Sequence, residues 1–183
     1  TPLYSSAASD VYKRQPVISG KAYWAFIDTP RTSPLDPDKP RYSVDIGNLD
    51  KSNVKLAKDL GLNVKTDDPD SGKANAGQRE KYVTLRAYGL DFDGNPKPRI
   101  PLVDTSNKQL DERMYRRLGN GSDINVKFHS KTTKSGFVQF HLDAIQVINL
   151  LEYDPPEDDE DRNVTFDVVK DGYKAEVAED APF

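Results

Sequence analysis

Between residues 81 and 88 the chain alternates. Val83, Leu85 and Ala87 point one way, and Tyr82, Thr84, Arg86 and Tyr88 point the other, as in a half-buried strand. The same mixture recurs further on. Lys127 and Lys131 lie opposite the inward row Ile124, Val126 and Phe128, and Lys134 and Phe137 sit at the turn that follows. Aromatic rings offer faces on which bases stack, and cations beside them neutralise phosphates, so this combination is what single-stranded nucleic acid requires. The opposing reading is that the cations are solvated and the rings fill gaps around the fold. Trp24 is a further candidate, although either face of its strand could be core.

Other chemistries find less support. Only two histidines exist, His129 and His141, both at outward strand positions, and there is no cysteine to join them in a metal or acid–base set. The acidic run 154–161 is broken by proline and offers no fixed scaffold on which carboxylates converge around a hard cation. Gly119-Asn-Gly121 lacks the Lys-Ser/Thr that completes a phosphate loop. Arg113, Arg116 and Arg117 read as a charged helix face sooner than as a second phosphate patch. No enzymatic activity, cofactor or metal is expected.

The elements that position these residues are mostly strands. Residues 21–27 are dense in aromatic and β-forming types and read as a strand, followed by a proline-rich loop at 30–40 and a partner strand at 41–46. Residues 52–60 carry helical spacing, with Ser52 or Asp50 as N-cap and Gly61 as the stop. Residues 65–78 read as a mobile polar loop. Residues 100–103 read as a short strand and 110–118 as one helical stretch. A hairpin follows, turning at 131–136, with Val138, Phe140 and Leu142 inward and an apolar final strand through Leu151. These elements predict a mainly β fold: a five-stranded Greek-key barrel of the OB type with one interposed short helix. A β-sandwich is the runner-up.

Charge is unevenly spread. The chain carries a net −4 over 183 residues, yet residues 154–183 hold eleven acids against three bases. A disordered acidic tail at 154–183 can mimic a phosphate backbone toward a basic surface. It ends on Phe183, an apolar anchor on a charged tether that suits a partner pocket rimmed by bases. Residues 5–15 are what a transposon-type sequencing adapter encodes, so residues 1–15 read as an assembly artefact replacing the native N-terminus. The remaining body, 16–153, is one domain with 21 bases against 18 acids. No apolar run approaches the roughly 20 residues of a membrane span, and a soluble cytoplasmic protein is the expectation.

Taken in order, several segments resemble a known family. They are Lys39-Pro-Arg-Tyr42, Ser43-Val-Asp-Ile46, Leu85-Arg-Ala-Tyr88, Leu102-Val-Asp-Thr-Ser106, Gly119-Asn-Gly-Ser122 and Val126-Lys-Phe128, then the hairpin, the long apolar strand and the Phe-terminated acidic tail. The chain resembles, over about residues 20–183, the single-stranded DNA-binding proteins of podovirus-type tailed bacteriophages. The resemblance implies an OB-fold that coats single-stranded DNA in replication, recombination and repair inside the infected bacterial host. It implies a homodimer whose tail competes with DNA and docks the phage DNA polymerase and helicase–primase. The docking residues would be Asp158, Asp159, Glu160, Asp161, Glu179, Asp180 and Phe183. By position, Arg41, Arg86, Tyr88 and Lys127 match cleft residues of that family, and Trp24 and Phe26 match a tyrosine pair. The hairpin loop at 131–136 is shorter than the family's and lacks its aromatic.

The leading expectation is therefore a sequence-independent single-stranded DNA-binding protein. An OB-like interaction or virion structural module without DNA binding is the alternative, and a metal-dependent nuclease the third.

Overall fold

The computed structural model describes residues 15–153. Seven strands and two short helices follow one another: β1 (Val17–Ser33), β2 (Asp36–Gly47), α1 (Lys51–Asp59), β3 (Lys65–Thr66), β4 (Lys81–Tyr88), β5 (Leu102–Val103), α2 (Met114–Arg117), β6 (Asp123–Thr132) and β7 (Val138–Asn149). Five of them close a barrel. β4, β2, β1, β6 and β7 are antiparallel neighbours in that order, and a parallel contact at Arg86 and His141 joins β7 back to β4. This is the OB arrangement, with β3 and β5 as short additions to β4 and β7.

Alternation places the core. Val83 and Leu85 of β4, Val44 and Ile46 of β2, Ile124, Val126 and Phe128 of β6, and Leu142 and Ile145 of β7 are all buried inside the barrel. β1 is too long to keep one phase. Its first part pairs with β6 and the rest with β2, and the ladder to β2 shifts between Tyr23 and Phe26. Trp24 sits in that irregularity at φ 45°, held by a hydrogen bond from its backbone N–H to Asn120 Oδ1 at 2.8 Å. The bulge turns the barrel corner and explains why Trp24 has no simple inward or outward parity. A second shift, opposite Lys127 and Phe128, makes Asp143 the extra residue in β7.

α1 begins and ends where its sequence directs. Asp50 accepts the Asn53 N–H at 2.7 Å, and Gly61 leaves the helix at φ +86°, a conformation that glycine alone adopts without strain. Other expectations needed correction. The proline-rich segment is no separate loop but the far end of the β1–β2 hairpin, and its prolines fall where the ladder is sparse: Pro37 and Pro40 between the Arg31–Arg41 and Ser33–Asp36 pairs, Pro34 in the turn, and Pro30 in the irregular stretch before Arg31. The stretch 110–118 is helical only over Met114–Arg117, because Gln109 and Leu110 are already hydrogen-bonded or bridged to β5. Val138 is exposed rather than inward, since the β6–β7 hairpin runs beyond the barrel wall. The polar segment after β3 is tied at both ends, by Asp67 N–H to Glu80 C=O at 2.6 Å and by the Tyr23 hydroxyl to Gln78 C=O at 3.0 Å.

Candidate nucleic-acid interface

The outward row of β4 meets two different surroundings. At its far end Arg41 of β2 pairs in register with Tyr88, and its guanidinium lies 5.1 Å from the Tyr88 ring centre. Arg86 faces outward beside it, and His141 of β7 closes the other side, its ring 5.9 Å from that of Tyr88. With Lys65 from β3 and Gln139 from β7, these side chains line an open groove of about 310 Å³. Arg41 brings a counter-charge with it, because Asp36 accepts from its Nη2 at 2.8 Å. Arg86 is exposed and has no carboxylate within ion-pair distance among the described residues.

The histidine pair frames the groove wall. His129 and His141 are direct cross-strand partners and stack at 5.0 Å, while His129 Nδ1 lies 2.8 Å from Asp143. Burial, and secondarily the His129 ring, hold His141 below the ordinary histidine value, so it is neutral at pH 7. Among the described residues no set of three or more His, Asp or Glu is placed to hold a metal ion.

At the near end of β4 the rings are already occupied. The Arg79 guanidinium lies 3.8 Å from the Tyr82 ring centre and 4.4 Å from that of Trp24. It also donates to Asp45 Oδ2 at 2.7 Å and to Asp67 Oδ1 at 2.9 Å. The Arg79 hydrogen bonds hold the Asp67 carboxyl down at about 2 and raise the guanidinium in turn. Trp24 and Tyr82 thus each give one face to a cation that two carboxylates neutralise.

The remaining predicted residues divide. Lys131 pairs with the groove residue Gln139, and Lys134 and Phe137 stand exposed around the hairpin turn beyond it. Lys127 is exposed on β6 two positions from His129 and outside the groove. Arg116 and Arg117 reach Asp28 at 2.7 Å and Glu152 at 3.6 Å, as a charged surface would. The tail residues Asp158, Asp159, Glu160, Asp161, Glu179, Asp180 and Phe183 lie outside the described residues. Three contributors were not anticipated: Lys65, Arg79 and His141 as a groove wall. The outward parity of His141 was visible in the sequence, whereas nothing periodic marks Arg79 in its polar segment.

No family model matches the chain, and no curated protein matches it. Solved structures do. The single-stranded DNA-binding protein from bacteriophage Enc34 in complex with ssDNA aligns at TM-score 0.50 and 13% identity, over 76% of this chain and 86% of that one. The gp2.5 single-stranded DNA-binding protein encoded by bacteriophage T7 aligns over 88% of this chain and 100% of that one, at 18% identity and TM-score 0.46. A C-terminal truncation of the Enc34 protein aligns over 78% and 86%, at 12% identity and TM-score 0.46. The chain thus shares its fold with a phage single-stranded DNA-binding protein. Among the described residues no helix is long and apolar enough to cross a membrane.

Proposed function

We propose that this protein binds single-stranded DNA without reading its sequence, and does no chemistry on it. The observation that carries the reading is the groove along β4, where Arg41, Arg86, Lys65 and the Tyr88 ring line one open cleft, with the Arg41 guanidinium 5.1 Å from the Tyr88 ring centre. Bases stack on such a ring regardless of identity, and cations at its rim take the phosphates. The Enc34 protein, whose fold this chain shares, has a solved structure in complex with ssDNA, which supports the same ligand here.

In this reading residues 16–153 form the DNA-binding unit and residues 154–183 a separate acidic tail. The groove and the exposed hairpin beside it, with Lys127, Lys131, Lys134 and Phe137, carry the strand. The tail, net −8, competes with DNA for these cations, and its Asp158–Asp161 run and its Glu179, Asp180 and Phe183 end dock a DNA polymerase or helicase–primase. The protein serves phage DNA replication, recombination and repair in an infected bacterial cell, as a homodimer.

Titrating fluorescein-labelled oligo-dT at several salt concentrations, followed by anisotropy, tests this. Affinity falls with salt at a log–log slope between about −2, for the three phosphates held by the groove cations, and about −4, once the three hairpin lysines hold theirs, at about −0.7 each on a single strand. Removing residues 154–183 tightens binding. An absence of binding at moderate salt contradicts the reading and leaves a protein-interaction module.

A further inference from the structure

Four residues beyond Tyr88 a phenylalanine stands in water. Phe92 is fully exposed, at the tip of the loop that leaves the groove end of β4. The loop is not slack. Gly89 N–H donates to Pro40 C=O at 2.8 Å, and Lys97 N–H donates to Gly89 C=O at 2.8 Å. Asp91 Oδ1 accepts the backbone N–H groups of Asp93 at 2.9 Å and Asn95 at 2.8 Å, and Gly94 turns the chain at φ +83°. A loop this well braced has no need of an aromatic for its own cohesion, and the ring it presents buries nothing.

What stands beside the ring identifies its occupant. Lys131 Nζ lies 5.9 Å from the Phe92 ring centre. Lys131 is the cross-strand partner of Gln139, which lines the groove. Groove wall, ammonium and ring are therefore contiguous, and the ring-plus-cation pairing repeats that of Tyr88 with Arg41. Around the same hairpin follow Lys134 and the largely exposed Phe137, whose turn is braced by Thr133 N–H to Phe137 C=O at 2.8 Å. Asp91 and Asp93 flank the ring, but Asp91 is turned back onto the amides of its own loop, and a nucleic-acid strand leaving the groove meets the Phe92 and Phe137 rings together with Lys131 and Lys134.

We propose that Phe92 is a base-stacking platform which, with Lys131 as its phosphate partner, extends the single-strand track from the groove onto the outer loops. The proposal rests on the DNA-binding reading above and deepens it by naming where the strand exits. It makes the footprint longer than the groove alone. Because Phe92 buries nothing, its replacement leaves the fold intact.

The test compares the full chain with Phe92→Ala and Phe92→Trp on fluorescein-labelled oligo-dT of about 4 and about 16 nucleotides, spanning the site sizes of one OB barrel. Phe92→Ala is expected to weaken the long oligonucleotide by about fivefold or more, the lower end for one stacked base, and to leave the short one unchanged. Phe92→Trp is expected to retain long-strand affinity and to lose indole emission on binding, against the wild-type signal of Trp24. Equal affinities of wild type and Phe92→Ala on the long strand overturn the proposal. So does a shift in oligomeric mass of Phe92→Ala in sedimentation at unchanged DNA affinity, which would assign the ring to a protein interface. If the wild type binds neither length, the DNA-binding reading itself fails; if it binds both and Phe92→Ala matches it, only this inference fails.

Discussion

The two ends of β4 are built from the same residue types and behave in opposite ways. At the near end Arg79, Trp24 and Tyr82 are stacked together, and Asp45 and Asp67 neutralise the cation. At the far end Arg41, Arg86 and Tyr88 border an open groove, and only Arg41 has a carboxylate partner among the described residues. Composition therefore does not separate a structural cluster from a ligand site. On the proposed reading the count of counter-charges does: Arg79, held by two carboxylates, welds the fold, whereas Arg41 with one and Arg86 with none among the described residues leave charge for an anion.

The largest expected effect breaks the near end. Arg79→Ala strands two mostly buried carboxylates and unstacks two rings, and stability falls by about 2–3 kcal/mol, less than a fully buried pair because some exposure remains. Urea unfolding measures the loss, while oligo-dT affinity in folded protein stays within about twofold. Acid adds a signature. A carboxyl held at about 2 contributes stability that is present above the ordinary value near 3.9 and is lost as pH falls toward 2. Arg79→Ala removes that pH-dependent component, so its stability curve is flatter over this window.

Tyr88→Ala tests the far end in the opposite currency. Oligo-dT affinity drops about tenfold, within the 1–3 kcal/mol of one stacked base, while the partly exposed ring leaves unfolding shifted by less than the Arg79 change. A smaller effect sharpens the role of counter-charge. Asp36→Asn frees Arg41 and tightens oligo-dT binding about two- to threefold, with a steeper salt slope. The smallest comes from His141. Burial and His129 depress it, Lys131 and Lys97 push the same way, and Asp143 opposes them. A phosphate in the groove favours the protonated ring, so affinity rises by about twofold as pH falls below the ordinary histidine range, and His141→Gln abolishes that rise.

The difference between the two ends also explains what was legible in the sequence. The alternation of β4 and β6 revealed the outward rows, because neighbours two apart on a strand share a face. The limits of α1 were legible in Asp50 and Gly61, whose side chain and backbone act locally. The barrel and the likeness to phage single-stranded DNA-binding proteins hold at the level of fold. Arg79 was not legible. Its partners lie 34 and 12 residues away, so no local pattern announces that Trp24 and Tyr82 are spoken for. Nor was the contact of Arg86 with His141, which exists only because the barrel closes in parallel there. Bulges at Trp24 and Asp143 reset side-chain phase, and periodicity is blind to an inserted residue.

Photocrosslinking of halogenated oligo-dT, with the adducts mapped by mass spectrometry, sets the two ends against each other in one experiment. DNA bound in the open groove places adducts on Tyr88 and on the segment carrying Gln139 and His141, and leaves Trp24 and Tyr82 unmodified. Adducts confined to Trp24 and Tyr82, or spread evenly over every exposed ring, would contradict the claim that counter-charge separates the two ends of β4.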